Sequence, residues 1–271
     1  MTNDKLRSVN RELNRILPVK GKLARAIRYS IFAGGKRFRP LLCLATAKAL
    51  GCSEKKVLRF ACAVEMIHTF TLIHDDLPAM DNSNLRRGKK TLHKVVGEGV
   101  AILAGDALNT LAFKLIADEP AASKELSTAL LEVVEGQVAD IESANKKPTL
   151  KQLKAIHQWK TAALLKACVR GTARLCGASN SELNALTAYA EHLGLAFQIA
   201  DDILDVTATR KALGKPVGAD RTKGFPALVG LERSKKMAEA EKRKALDSLK
   251  GFGKKADVLR ELAAYVIARG K

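Results

Sequence analysis

Residues 65–81, EMIHTFTLIHDDLPAMD, hold an apolar run that ends abruptly in aspartates. Asp75, Asp76 and Asp81 stand where the apolar run stops, and Pro78 interrupts a regular helix between them. The helix macrodipole disfavours anions at a C-terminus, and burying carboxylates is costly unless a cation binds them. The stretch therefore predicts a long apolar helix whose C-terminal end holds cations.

A second aspartate cluster lies at residues 197–206, FQIADDILDV. Asp201 and Asp205 are four residues apart and share a helix face, with Gln198 one turn earlier on the same side. Like charges at that spacing repel each other, and a divalent cation removes the conflict. Oxygen ligands without His or Cys favour Mg²⁺ or Mn²⁺ over zinc. Because Mg²⁺ commonly bridges carboxylates to phosphates, the two clusters predict a polyphosphate substrate.

Three loops combine glycine or small polar residues with several cations. They read AGGKRFRP at 33–40, NSNLRRGKK at 82–90 and LGKPVGADRTKG at 213–224. Any one of them alone is typical of a solvated basic loop. In a chain that also carries two acidic clusters, they predict that Lys and Arg side chains bind phosphate groups. A glycosidase, with its two single carboxylates, would not need such loops.

The pattern of apolar residues is helical almost throughout, and strand alternation is nearly absent. Helices are predicted over about 4–17, 20–32, 40–50, 54–77, 92–117, 122–144, 150–176, 180–209, 227–249 and 255–269. Thr149 and Ser179 are candidate N-caps, with Ser181 a rival for the second position. Several of these helices are long and apolar on wide faces, as in the centre of a bundle. No linker or repeat divides the chain, so we predict one all-α domain over residues 1–271.

The net charge of +19 is distributed unevenly along the chain. Residues 1–60 carry +12, residues 61–205 carry −3 and residues 206–271 carry +10. A nucleic-acid-binding protein is more often basic across its functional face. The acidic middle argues against that class, although a basic helical nucleic-acid-binding protein stays the non-enzyme alternative.

Membrane and secretion signals are not evident in the sequence. No wholly apolar run approaches the ~20 residues of a membrane span, and residues 1–15 lack the apolar region of a signal peptide. The five cysteines are odd in number, form no CxxC pair and lie in apolar helical surroundings, where a thiol behaves as a small hydrophobe. We expect a soluble protein of a reducing compartment, the cytoplasm.

Taken in order, these motifs resemble those of the trans (head-to-tail) isoprenyl diphosphate synthases, and of bacterial farnesyl diphosphate synthases above all. The matching elements are GGKRFRP at 34–40, EMIHTFTLIHDDLPAMD at 65–81, LRRGKKTLHK at 85–94, GQVAD at 136–140, HQWKT at 157–161 and FQIADDILDV at 197–206. A terpene cyclase also carries one DDxxD motif, but it would not need the GGKRFRP and RRG loops. The resemblance implies one polyprenyl synthase domain with the isoprenoid synthase fold, a bundle of about ten helices around a central cavity. It also implies a homodimer.

The resemblance assigns roles to individual residues. The residues that match the family's Mg²⁺ ligands are Asp75, Asp76, Asp81, Asp201, Asp202 and Asp205; the family binds three Mg²⁺ ions with substrate, and Mn²⁺ is the alternative metal. Those that match the allylic diphosphate site are Arg86, Lys160, Lys215 and Lys223, and those that match the metal-free isopentenyl diphosphate site are Lys36, Arg39, His68 and Arg87. Lys160, Thr161 and Gln198 match the catalytic residues at the reaction centre. Lys160 and Thr161 lie three and four residues after His157, which predicts that the three share one helix face.

The reaction that the resemblance implies explains these residue types. Cations neutralise the leaving diphosphate, so the allylic C–O bond can ionise. A dry pocket keeps the carbocation from water while isopentenyl diphosphate attacks through its double bond. In the family the released diphosphate takes the proton, so no protein base is assigned.

Product length is a separate expectation. In the family, the residues four and five places before the first aspartate motif form the floor of the hydrophobic pocket, and here they are Thr71 and Phe70. One helix turn rises about 5 Å, close to the length of one isoprene unit, so a bulky floor residue stops growth early. The aromatic ring predicts farnesyl diphosphate, with geranyl or geranylgeranyl diphosphate as alternatives.

The sequence departs from the family at four places. Ala219 stands where many members have Lys, and the segment 220–226 is shorter than usual. The stretch 82–84, NSN, is less acidic than usual, and the N-terminal region is short for the helix that contributes to the dimer. None of these removes a matched metal ligand, so we expect an active enzyme.

Overall fold

The computed structural model describes residues 3–143, 148–207 and 224–268. Its α-helices are α1 (Asn3–Ile16), α2 (Lys22–Ile31), α3 (Phe38–Ala49), α4 (Glu54–Asp75), α5 (Leu92–Val96), α6 (Glu98–Leu115), α7 (Pro120–Glu142), α8 (Leu150–His157), α9 (Ala163–Leu175), α10 (Asn180–Thr207), α11 (Phe225–Val229), α12 (Leu231–Ser248) and α13 (Asp257–Ala268). A π-helical turn, Gln158–Ala162, joins α8 to α9, and a 3₁₀ segment, Lys250–Ala256, precedes α13. In the described part of the chain, the one sheet is a hairpin of β1 (Leu85–Arg86) and β2 (Lys89–Lys90). The all-α prediction is confirmed.

Buried helices at the centre of the bundle hold the site-bearing helices in place. Most residues of α3 and α9 are buried. The helix α4 packs against α3 and α6, while α10 packs against α9 and α12. One apolar cluster includes Val9 near the start of the chain and Val266 near its end. This continuity supports the predicted single domain over residues 1–271, which stays a prediction.

Two predicted helices are each broken by a glycine. The helix expected over 92–117 divides at Gly97, and the one expected over 227–249 divides at Gly230. Both glycines have a positive φ, of 85° and 82° respectively, which a residue with a side chain rarely adopts. Because the apolar period continues across both breaks, periodicity alone predicts one helix in each region where the structure has two.

The predicted helix N-caps are confirmed. Thr149 accepts a hydrogen bond from the backbone of Gln152, whose side chain accepts one from the backbone of Thr149, and this forms a capping box. Ser179 and Glu182 make the same reciprocal pair at the start of α10. Ser179 therefore caps α10, and its rival Ser181 lies inside the helix.

Helix α4 is apolar because it is a core helix. Among the described residues it is the one helix long and apolar enough to cross a membrane, but 61% of its most apolar window is buried inside the protein.

All five cysteines are free thiols, and Cys43, Cys62 and Cys168 are buried.

Candidate functional site

The first aspartate motif lies where α4 ends. Asp75 is the last residue of the helix, and its carbonyl oxygen accepts a hydrogen bond from the backbone N–H of Asp81 at 2.9 Å. This turn returns Asp81 to the helix end across Pro78. Asp76 is buried, and both of its carboxylate oxygens accept hydrogen bonds from Arg86 Nε at 2.8 Å.

The β-hairpin explains how Arg86 and Arg87 serve two different neighbours. Arg87 and Gly88 both have positive φ, 54° and 76°, at the tip of the two-residue turn. While Arg86 reaches Asp76, Arg87 donates to the carbonyl oxygen of Gly34. Gly35, where the two cationic loops meet, has a φ of 111°, a conformation that favours glycine, and it lies against the Arg87 guanidinium.

In the second aspartate motif, the carboxylate of Asp202 accepts hydrogen bonds from other protein groups. Its side chain is buried, and one oxygen accepts the backbone N–H of Phe225 at 2.9 Å while the other accepts Gln198 Nε2 at 3.3 Å. The ring of His157 lies 3.4 Å from the same carboxylate and stacks on Phe225. Asp202, like Asp76, is therefore a buried second aspartate of its motif that contacts protein groups.

The π-helical turn brings the predicted catalytic residues to both neighbouring helices. Lys160 Nζ donates to Asp140 on α7 at 2.6 Å, and Thr161 Oγ1 donates to Gln198 on α10 at 2.8 Å. The prediction that Lys160 shares one face with Thr161 and His157 is wrong, because the π turn displaces the α-helical register. His157 and Thr161 face α10, and Lys160 faces α7.

Charged groups of this region shift one another's pKa. Burial raises the pKa of Asp75 to about 6, and the neighbouring Asp81 and Asp76 add to the shift while Lys160 and Arg86 oppose it. Burial would lower the pKa of Lys160, but Asp140, Asp75 and Asp81 together raise it. Lys160 thus stays an ammonium ion between α7 and the first aspartate motif.

The predicted isopentenyl diphosphate residues come together in one cavity of about 260 Å³. They are Lys36, Arg39, His68 and Arg87. Arg39 Nη1 lies 3.2 Å from His68 Nε2. Burial and the guanidiniums of Arg39 and Arg87 lower the pKa of His68 well below its ordinary value. His68 is therefore neutral, and its Nε2 can accept the hydrogen bond from Arg39.

The sequence reasoning missed several residues of the two sites. Phe197 and Tyr265 also line the cavity, and the amine of Lys36 lies 5.1 Å from the centre of the Tyr265 ring. Tyr265 could not be found from local motifs because it comes from α13, far away in the chain. Asp140 had a signal, since it ends the quoted GQVAD motif.

Arg37 belongs to the protein interior, although the sequence placed it among the loop cations. It is 5% exposed and forms an ion pair with the buried carboxylate of Glu65 at 2.7 Å. Its other nitrogens donate to Asn10 Oδ1 and to the carbonyl oxygen of Ile31. Arg37 also takes a left-handed conformation with φ 49° just before α3. It fixes the loop that presents Lys36 and Arg39.

The predicted floor residues lie one turn before the aspartates on α4. Phe70 is half-buried, packs against the large apolar cluster and meets the His74 ring edge-on at 4.9 Å. The Thr71 hydroxyl donates to the carbonyl oxygen of His68 at 2.9 Å. Phe70 thus places an aromatic ring on α4 about one helix turn before the first aspartate motif.

The donor set fits a hard cation in its chemistry. Across residues 3–143, 148–207 and 224–268, no three histidine, cysteine or carboxylate side chains form a metal site by themselves. Mg²⁺ does not require one, because it takes one or two carboxylates and fills its shell with water and substrate phosphates. Burial, with the neighbouring carboxylates Asp81 and Asp76, raises the pKa of Asp75, and a bound cation would stabilise its charged form. Lys215 and Lys223, predicted to bind the allylic diphosphate, lie outside the described residues.

Comparison with known proteins identifies the family. The sequence profile of the polyprenyl synthetase family matches residues 20–266. The chain belongs to the polyprenyl synthetase family. It is 44% identical to the farnesyl diphosphate synthase of Bacillus subtilis over 268 residues, which cover 93% of this chain and 90% of that protein. It is 45% identical to the chloroplastic geranylgeranyl pyrophosphate synthase 3 of Arabidopsis thaliana over 286 residues, covering 98% and 79%.

Solved structures of polyprenyl synthetases share the fold. A polyprenyl synthase from Caulobacter crescentus, complexed with calcium and isoprenyl diphosphate, superimposes with a TM-score of 0.90 at 29% identity. The match covers 99% of this chain and 95% of that one. This polyprenyl synthetase therefore has the isoprenoid synthase fold and is a trans-prenyltransferase. Its relatives carry the names of both farnesyl and geranylgeranyl synthases, so family membership leaves product length open.

Proposed function

We propose that this prenyltransferase condenses isopentenyl diphosphate with dimethylallyl diphosphate, and then with geranyl diphosphate, to give farnesyl diphosphate in a Mg²⁺-dependent reaction. The observation that carries the proposal is the position of the π-helical turn. On this turn, the charges of Asp75 and Asp81 help to raise the pKa of Lys160. The Thr161 hydroxyl, on the same turn, donates a hydrogen bond to Gln198 of the second motif. One short segment thereby connects the two aspartate motifs.

The allylic diphosphate would lie between the carboxylates and the cations. We assign Mg²⁺ binding to the six aspartates of the two motifs, Asp75, Asp76, Asp81, Asp201, Asp202 and Asp205. The bound ions would neutralise the diphosphate as it leaves. Arg86 and Lys160 are placed by carboxylate partners, and we assign them to the diphosphate oxygens. Both cations are oriented before substrate arrives, so little reorganisation is needed when charge develops on the leaving group.

The cavity of Lys36, Arg39, His68 and Arg87 would hold isopentenyl diphosphate without metal. These residues supply three cations and a neutral imidazole. Arg guanidiniums bind phosphate oxygens through paired N–H donors. The apolar rings of Phe38 and Phe197, whose centres are 5.5 Å apart, line the same cavity and suit the hydrocarbon part of the substrate.

For product length we propose the fifteen-carbon diphosphate. The ring of Phe70 lies one helix turn before the aspartates, where the growing chain would meet it. The alternatives are the geranyl and geranylgeranyl products, and the mixed names of the relatives keep them open.

We also propose that the protein is a cytoplasmic homodimer. Leu131, Val134, Val138 and Ile141 lie on one face of α7 and are 48–68% exposed. An uncovered apolar stripe of this kind marks an association surface. Light scattering should give the mass of two chains for the wild type and of one chain for Leu131→Lys/Val138→Lys. The matched control is Val19→Lys, since Val19 is 69% exposed outside the stripe.

Lys160→Ala tests the proposed role of the π-helical turn. We expect kcat/KM for geranyl diphosphate to fall about 100-fold, because the diphosphate loses a placed cation. The control is Lys166→Ala, which removes a neighbouring lysine paired with Glu132. Equal activity of the Lys160 variant and the wild type would contradict the assignment.

A further inference from the structure

Two glycines contact the π-helical turn from two different helices. A Cβ on Gly136 of α7 would lie 2.5 Å from the backbone nitrogen of Lys160 and 2.9 Å from its Cα. A Cβ on Gly194 of α10 would lie 2.3 Å from Ala162 Cβ and 2.8 Å from Ala162 Cα. These four atoms are backbone atoms or a Cβ bound directly to the backbone, so the segment could not yield by rotating a side chain. Both helices thus pack on the turn at backbone distance.

Each glycine is followed, one helix turn later, by the residue that binds a side chain of the same segment. On α7, Gly136 precedes Asp140, which accepts the amine of Lys160. On α10, Gly194 precedes Gln198, which accepts the hydroxyl of Thr161. Residues four apart lie on one helix face, so each pair presents a backbone contact and a polar partner together.

We propose that Gly136 and Gly194 are positioning residues that fix where Lys160 and Thr161 stand relative to the two aspartate motifs. A methyl group at either glycine would push its helix away from the turn and carry Asp140 or Gln198 with it. This proposal rests on the roles proposed above for Lys160 and Thr161. It adds two residues that do not touch substrate and act through the segment they contact.

Other glycines in the described helices do not contact the π-helical turn. Gly171 of α9 is also tightly packed, but a Cβ there would meet the ring of Phe60 and not the turn. Gly99 of α6 has open space around it. These two residues provide matched controls, one for the loss of a buried helical glycine and one for the change in helix propensity.

The activity test compares four single variants, Gly136→Ala, Gly194→Ala, Gly171→Ala and Gly99→Ala. Misplacing a reacting group by about 1 Å costs roughly 100-fold in rate, so we expect kcat of the first two to fall by about that factor. Their KM for isopentenyl diphosphate should stay within about 2-fold of the wild type, because the four residues assigned to its diphosphate lie on elements other than α7 and α10. Gly99→Ala should leave both constants unchanged. Gly171→Ala is expected to lower the melting temperature with a smaller effect on kcat.

Trp159 gives a readout that does not depend on catalysis. It is the one tryptophan of the chain, it stands on the π-helical turn, and its Cβ lies 2.8 Å from the position of a Gly136 Cβ. Gly136→Ala should shift its fluorescence emission, whereas Gly171→Ala and Gly99→Ala should not. If the wild type makes no prenyl diphosphate, the proposed function fails, and this emission shift still decides whether the glycine positions the turn.

A volume-conserving swap guards against variants that do not fold. Gly194→Ala/Ala162→Gly removes the closer contact, with Ala162 Cβ, and leaves the 2.8 Å contact with its Cα. We therefore expect partial recovery, of at least about 5-fold, of the kcat lost in Gly194→Ala. Wild-type kcat in a folded Gly136→Ala or Gly194→Ala would overturn the proposal. So would an unchanged Trp159 emission in Gly136→Ala, or a swap variant that is folded but no more active than Gly194→Ala.

Discussion

The amine of Lys160 lies 2.6 Å from the carboxylate of Asp140, which belongs to a helix twenty residues earlier in the chain. Asp140 contributes to the raised pKa of Lys160 and directs its flexible side chain. Lys160 is consequently held as a cation near Asp75 and Asp81 before any substrate binds. This pair connects the GQVAD and HQWKT motifs, and it explains why both accompany the aspartate motifs.

Asp140→Ala should reduce kcat/KM for the allylic diphosphate about 10-fold, because a charge-assisted hydrogen bond that orients Lys160 is lost. Steady-state kinetics with varied geranyl diphosphate would measure this. The control is Glu132→Ala, which breaks the Lys166–Glu132 ion pair between α7 and α9. Equal losses in the two variants would show that Asp140 has no special role.

Substitution of two adjacent residues of the GGKRFRP motif should change two different properties, stability at Arg37 and substrate affinity at Lys36. Arg37→Met leaves the buried carboxylate of Glu65 unpaired, and we expect a loss of about 3–5 kcal/mol in the free energy of unfolding. Lys36 is exposed, so Lys36→Ala should change stability by less than about 0.5 kcal/mol. Its KM for isopentenyl diphosphate should instead rise about 10-fold. Urea denaturation and kinetics on both variants would check this, and a stable Arg37→Met protein would contradict the structural role of Arg37.

Phe70→Ala should lengthen the product, because it removes the ring that would stop the growing chain one turn below the aspartates. Chromatography of the products should show geranylgeranyl diphosphate or longer chains. Phe252→Ala is the control, since Phe252 packs on the core from the 3₁₀ segment. Unchanged product length in Phe70→Ala would refute the floor assignment.

His68 should make the protein less stable in acid. Its folded pKa is lowered by burial and by Arg39 and Arg87, so the unfolded chain, with a pKa of about 6.5, takes up the proton first. Stability contributed by neutral His68 is present above that pH and is lost as the pH falls. Between pH 7 and pH 5 the wild type should lose up to about 2 kcal/mol more than His68→Gln. Urea titrations of both proteins at both pH values would measure this. An equal loss of unfolding free energy in the wild type and in His68→Gln would contradict the lowered pKa of His68.

Much of the fold could be predicted because apolar period and caps agree along most of the chain. Pro78 and the aspartates predicted a helix end at 77, two residues after its end at Asp75, and Ser179 predicted the start of α10. The predictions were wrong where backbone conformation overrides period, as at Gly97 and Gly230. The helix predicted over 150–176 ran through Gln158–Ala162, so the π-helical turn and the different directions of Lys160 and Thr161 were also missed.

The site residues could be named from motifs, but their partners could not. The four residues of the predicted isopentenyl diphosphate site do meet in one cavity. Nothing local in the sequence separates Arg37, buried against Glu65, from its neighbours Lys36 and Arg39. The bonds of Asp202 to Phe225 and Gln198 likewise depend on how α10 and α11 pack. Such contacts arise from tertiary structure and have no local sequence signal.

The direct test is to incubate the purified protein with isopentenyl diphosphate, dimethylallyl diphosphate and Mg²⁺ and to identify the products by mass. We predict farnesyl diphosphate, with no product when a chelator removes the metal. The absence of any Mg²⁺-dependent prenyl diphosphate would contradict the proposed reaction. A single product of another length would keep the reaction and refute the role given to Phe70.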